Sequence, residues 1–193
     1  LRVIAGDYKG RRLDCIEGME IRPTTDKVKE SLFNILGNAV IDSAFLDLFS
    51  GTGGIGIEAL SRGAKYVVFI DANIKSIKVL KGNLDHLNIK DNVEVFHTDY
   101  TTAISKLYKY KKQFDIIFID PPYRVGTAES ALEEIDKNSI LSQSGVIIVE
   151  HDSKEDMPQS VGKLYLYRIK QYGNTALSFY SIDNYIQQKE EYD

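Results

Sequence analysis

The segment FDIIFIDPPYRVG sets Asp120, Pro121, Pro122 and Tyr123 directly after an unbroken apolar run. Proline donates no amide hydrogen and fixes φ, so a double proline at a strand end makes a rigid turn whose carbonyls remain as acceptors. An exocyclic amine on a planar ring offers two hydrogens and a poorly available lone pair. If the Asp120 carboxylate and the Pro121 carbonyl accept those hydrogens, electron density rises on the nitrogen and its lone pair is aimed, while Tyr123 stacks on the ring. These four residues read as a clamp for a planar amine; the plainer alternative is a strand that ends on proline.

A second constellation lies upstream in LDLFSGTGGIGIEAL, where Gly51, Gly53 and Gly56 form GxGxxG and Asp71 follows Gly51 by twenty residues. Such a turn lets backbone approach a ligand closely, and its spacing serves NAD, FAD and S-adenosylmethionine alike. Asp47 separates these options. A carboxylate four residues before the first glycine repels a pyrophosphate, yet suits the ammonium of a methionine moiety or the amides of the surrounding loop. Asp71 then accepts from ribose hydroxyls and Asp99 from an adenine amino group, with Phe49, Ser50 and Tyr100 completing the expected cofactor set. Each acid taken alone is equally readable as a helix N-cap.

The elements that must position these residues alternate in type: FLDLFS, GIGIEALSRG, YVVFID, NIKSIKVLKGNLDHL, VEVFHTD, TTAISKLYKY, FDIIFID, ESALEEIDKN, GVIIVEH. Apolar runs such as FDIIFI and GVIIV are what a parallel sheet buried on both faces requires, and Ile74, Ile77, Leu80, Leu84 and Leu87 recur at helical spacing. The expected fold is a doubly wound, Rossmann-like α/β sheet, with the acids and the proline turn gathered at the carboxyl ends of its strands. LYLYRIKQYG and TALSFYSI, around Gly173 and Asn174, predict a closing antiparallel hairpin. Before the core, a helix over DKVKESLFNILGN is expected, capped by Thr24 or Thr25, with Val28, Leu32, Ile35 and Leu36 on one face and Gly37 near its end.

With 193 residues, 43% hydrophobic and 27% charged, the chain fits one ordinary globular domain. Its expected parts are a basic arm over 1–23, a catalytic core over 24–183 and an acidic tail over 184–193. Cys15 is the only cysteine, and His86, His97 and His151 are scattered, so neither a disulfide nor a metal site is expected. The aliphatic runs are too short to span a bilayer and the chain opens with charge where a signal peptide needs an apolar stretch, which predicts a cytoplasmic protein. The net charge of -4 hides an asymmetry: the first 13 residues carry Arg2, Lys9, Arg11 and Arg12 against Asp7 alone. Nucleic-acid contact should therefore be local. The arm is either a flexible lead-in or a grip for an anion.

The motif DPPY is the signature of amino-methyltransferases, and the chain closely resembles one branch, the RsmD-type small-subunit ribosomal RNA guanine-N2 methyltransferases. RVIAGDYKGRRL, RPTTDKVKESLFNIL, DLFSGTGGIGIEALSRGA, DPPY and KQYGNTALSFY carry the resemblance over nearly the whole chain. It implies a seven-stranded sheet whose last strand is antiparallel, S-adenosylmethionine as cofactor, and methylation of a guanine 2-amino group in the RNA of an assembling 30S particle. By match to its motifs, Asp47, Gly51, Gly53, Asp71 and Asp99 take the cofactor and Asp120 to Tyr123 take the base. Arg22 and Thr24 match positions bordering the active site. Lys9, Arg11 and Arg12 are expected to meet phosphates. Direct in-line transfer with Asp120 as orienting acceptor is the expected mechanism. Three other readings compete: a DNA adenine-N6 or protein glutamine-N5 methyltransferase, which would share the clamp, a dinucleotide oxidoreductase, and a catalytically silent binding subunit.

Overall fold

A computed structural model of the chain describes residues 1–16, 25–122 and 126–182. It divides into two compact units, Leu1–Tyr100 and Thr101–Asp193.

In the first unit, β1 (Ala44–Asp47), β2 (Tyr66–Asp71) and β3 (Val93–His97) run parallel in the order β3-β2-β1. Val67, Val68, Phe69 and Ile70 of β2 are all buried, as an internal strand covered on both faces requires. To this unit belong α1 (Asp26–Leu36), α2 (Gly54–Ser61) and α3 (Ile74–His86). Thr25 is the N-cap of α1, its Oγ1 accepting from the Val28 amide at 3.3 Å, and Gly37 closes the helix with φ 50°. The buried face of α1 holds Val28, Leu32 and Leu36 as expected. Lys29 and Phe33 join them, whereas Ile35 is only half-buried. A lysine on that face breaks the apolar pattern because its ammonium finds acceptors inside the fold. On α3, Ile77, Leu80 and Leu84 are buried, while Ile74 at its start is exposed.

The arm is not a loose lead-in within residues 1–13. Arg2 and Arg12 form an antiparallel bridge, and the Val3, Gly10 and Leu13 amides donate to Arg11, Val3 and Leu1 carbonyls, closing a small hairpin that buries Val3 and Leu13.

The second unit begins its sheet with β4 (Phe114–Ile119) and β5 (Leu141–Asp152), which are parallel. Helices α4 (Tyr100–Lys109, starting at the end of the first unit) and α5 (Thr127–Asn138) precede and follow β4. Then β7 (Leu164–Tyr172) and β8 (Thr175–Ser181) form the expected hairpin, with Gly173 and Asn174 as its two-residue loop and φ 63° at Gly173. The last strand, β8, inserts antiparallel between β5 and β7. An eighth strand joins the seven expected. It is β6 (Ser160–Val161), paired to the start of β7, and two residues are too few to leave a periodic signal.

Candidate active site

The glycine turn is built from acids before it can be offered to a ligand. Asp47 ends β1 with 2% exposure, and its Oδ2 accepts the amide of Gly56 in the first turn of α2 at 2.9 Å. Burial pushes its pKa up to about 7; the Gly56 amide opposes that shift and the negative charge of Asp71 adds to it. Asp71 ends β2 and clasps the turn from the other side, Oδ2 accepting from Gly51 N at 2.8 Å and Oδ1 from Asn73 N at 2.7 Å.

The glycines have separate duties. Gly51 and Gly53 lie at φ 51° and 88°, and a Cβ on Gly51 would meet nothing within 4 Å, so that part of the turn is open. A Cβ on Gly56 would come within 2.2 Å of the Phe69 ring, which shows how closely α2 rests on β2. The Thr52 carbonyl of the turn accepts from Asn83 Nδ2 at 3.0 Å. Ser50 Oγ, buried in the same turn, has no hydrogen-bond partner among the described residues. Beside it the half-buried Phe49 ring lies 5.4 Å from that of Tyr100, tilted by 45°. Asp99 is exposed at the head of α4, two residues beyond β3. Asp47 and Asp71 thus stand at the carboxyl ends of β1 and β2, and Asp99 just beyond that of β3.

In the second unit the proline turn opens on a cavity of about 370 Å³. Asp120, Pro121 and Pro122 line it after β4, and Glu150, His151 and Asp152 line it from the end of β5; Lys154, Glu155 and Thr175 add a polar flank. The volume is within the range of small-molecule sites. His151 is held rigidly. Its Nδ1 lies 2.9 Å from the Asp152 carbonyl, a pure acceptor, so Nδ1 donates there, and Nε2 lies 2.8 Å from Ser178 Oγ. The residues on β5 and beyond were not singled out from sequence. The available signal was GVIIVEH, an apolar run followed by an acid as in FDIIFID.

The arm is pinned to the unit that carries the glycine turn. Glu58 of α2 is fully buried and accepts the amides of Ile4 and Ala5 at 2.7 and 3.0 Å, while Arg62 Nε donates to it at 2.8 Å and Lys29 Nζ lies 3.5 Å away. Lys29 also donates to the Arg2 carbonyl, and burial lowers its pKa despite the attraction of Glu58. Lys9, Arg11 and Arg12 are all exposed on this hairpin. Arg22 of the arm, Thr24 at the start of the core and Tyr123 of the proline turn lie outside the described residues. Among the described residues no group of three or more His, Cys, Asp or Glu could hold a metal ion, and no helix is long and apolar enough to cross a membrane.

Parallel strands, a glycine turn clasped by strand-end acids and an Asp-Pro-Pro turn, closed by an antiparallel last strand, define a Rossmann-like methyltransferase. Comparisons with known proteins agree. The solved structure of yhhF from Escherichia coli superposes with a TM-score of 0.81 at 32% identity, covering 93% of this chain and 96% of that one. A methylase structure from Haemophilus influenzae gives 0.76 at 31% identity, covering 93% and 97%. The Bacillus subtilis protein YlbH, provisionally named an rRNA methyltransferase, is 41% identical over 93% of this chain and 98% of its own length. The ribosomal RNA small subunit methyltransferase D of Escherichia coli is 33% identical over 93% and 89%. The family profile described as "Conserved hypothetical protein 95" matches residues 1–181. The chain belongs to that family, the RsmD-type ribosomal RNA methyltransferases.

Proposed function

We propose that this protein transfers a methyl group from S-adenosylmethionine to the exocyclic N2 amine of a guanine in small-subunit ribosomal RNA, with the assembling 30S particle as the natural substrate. The observation that carries this reading is the Asp120-Pro121-Pro122 turn, which lines a cavity of about 370 Å³ at the end of a buried strand. Two consecutive residues without amide hydrogens leave acceptors to meet an amine's two hydrogens.

The glycine turn fits the cofactor. Ser50 Oγ is a buried hydroxyl in want of a partner among the described residues, Gly51 is open, and the Phe49 and Tyr100 rings offer apolar faces. In this reading Asp71 takes ribose hydroxyls and Asp99 the adenine amine, while Asp47 acts through the turn that it braces. When bound, S-adenosylmethionine supplies an activated methyl group on a positive sulfonium. The chain's own task is alignment: Asp120 and the Pro121 carbonyl would hold the amine hydrogens and Tyr123 would fix the plane of the ring, leaving the nitrogen lone pair free to attack. The proton released after transfer passes to Asp120 or to water. Lys9, Arg11 and Arg12 meet phosphates, and folded ribosomal context selects an unpaired base.

The test is incubation with methyl-labelled cofactor and, in parallel, unmethylated small-subunit particles, free ribosomal RNA, DNA and protein fractions, followed by identification of the labelled group. N2-methylguanine from the particle arm is expected. Label in adenine of DNA, or in glutamine of protein, overturns the reading.

A further inference from the structure

Strands β4 and β5 are parallel neighbours whose last paired residues before the cavity are Ile119 and Val149. The next residue on each chain is therefore an acid on adjacent backbone, Asp120 on one and Glu150 on the other, about 4.8 Å apart in the pairing direction. In-register residues of a parallel pair project to the same face, and both of these line the cavity. Asp120 serves the amine in the function proposed above. Glu150 has no role there.

The Watson–Crick edge of guanine presents a donor at N2, a second donor at N1 and an acceptor at O6. Asp120 and Glu150, neighbours across the β4–β5 register, bring two carboxylates to this cavity, which Lys154 also lines. Two adjacent acceptors are complementary to the adjacent N2 and N1 donors of guanine. Adenine has no hydrogen at N1, and its lone pair there would face a carboxylate with no proton between them. An enzyme that takes a base out of its stack reads it on this edge.

We propose that Glu150 is a specificity-determining residue that accepts the N1–H of the guanine whose amine Asp120 orients. This rests on the guanine-N2 reading. A carboxylate at this position excludes bases whose N1 is an acceptor, so the same proline turn that could grip any planar amine is restricted to guanine. Glu150 takes no part in bond making or breaking.

The experiment uses ribosomal RNA ligated to carry either guanine or 2-aminopurine at the position the parent protein methylates, assembled into particles. 2-Aminopurine keeps the 2-amino group but has a lone pair at N1. In single turnover the parent should favour guanine by on the order of 100-fold. Glu150→Gln can turn its amide NH₂ toward N1 of 2-aminopurine, so that substrate should speed up while guanine slows, bringing the two within about fivefold. Lys154→Gln should not rescue 2-aminopurine. A parent that methylates both bases equally overturns the proposal whether or not the variants fold. So does a Glu150→Gln protein that keeps the parent's preference while both rates fall together, the mark of a merely structural residue. Product identification with the parent separates the two readings: no N2-methylguanine refutes the base assignment, whereas N2-methylguanine with unmoved preference refutes Glu150 alone.

Discussion

Asp71 Oδ2 accepts the amide of Gly51 across 2.8 Å, so the acid expected to receive a ribose is already part of the turn that would cradle the cofactor. Its other oxygen holds Asn73 N, at the N-cap of α3. One side chain thus fixes the glycine turn, starts the next helix and keeps further lone pairs for a ligand.

Asp71→Ala should consequently lower both stability and cofactor affinity. Hydrogen bonds to a charged acceptor are worth about 1.5–3 kcal/mol each, which corresponds to at least a tenfold loss of S-adenosylmethionine affinity if the turn relaxes. Calorimetry on the folded variant checks this. Unchanged affinity would sink the assignment of Asp71 to the cofactor.

For Asp120, an orienting role and an obligatory base predict different variants. An orienting acceptor needs an oxygen more than a charge, so Asp120→Asn should keep appreciable turnover while Asp120→Ala loses orders of magnitude. Tyr123→Phe should be mild and Tyr123→Ala severe, because stacking needs the ring and not the hydroxyl. Single-turnover rates at saturating cofactor decide, and equal collapse of the Asn and Ala variants at Asp120 refutes orientation.

The arm can be tested without disturbing its anchorage, since Glu58 holds backbone amides of Ile4 and Ala5 and not the exposed guanidinium groups. Replacing Arg11 and Arg12 together by alanine should leave thermal stability and cofactor affinity nearly unchanged. RNA affinity should fall, and the slope of log K against log salt should flatten by about 1.4 to 1.8, two phosphate contacts' worth. A salt series identical to the parent's would return the hairpin to a structural role.

Asp47 makes a pH prediction. Its folded pKa of about 7 lies above the unfolded value near 4, so between those limits the folded state binds more protons than the unfolded state. Its contribution to stability is therefore full below about pH 4 and declines as pH rises toward about 7, by about 4 kcal/mol in the absence of ligand. Asp47→Asn keeps an acceptor for Gly56 and removes the titration. Urea unfolding of the cofactor-free protein between pH 5 and 8 should show the parent losing stability relative to Asp47→Asn across that range. Parallel curves would show that Asp47 does not titrate there.

Local chemistry and period were enough to read much of this protein from its residues. FDIIFI and YVVFI read as buried strands and Gly173 with Asn174 as a hairpin turn, and the fold bears out both; DPPY suggested an amine clamp, because prolines remove donors wherever they stand. Contacts between residues distant in the chain were not legible, because the pairing partner of a buried polar group leaves no periodic trace. Nothing in the sequence sets Glu58 on α2 apart from an ordinary polar helix position; the fold brings the arm's amides, Lys29 and Arg62 around it. The apolar poverty of the arm concealed that Val3 and Leu13 suffice to seat a hairpin once its backbone has partners. Glu150 is the sharpest case: the sequence determined that an acid follows the apolar run GVIIV, and only the β4–β5 register, set by how two strands distant in the chain pack, decided that this acid stands beside Asp120.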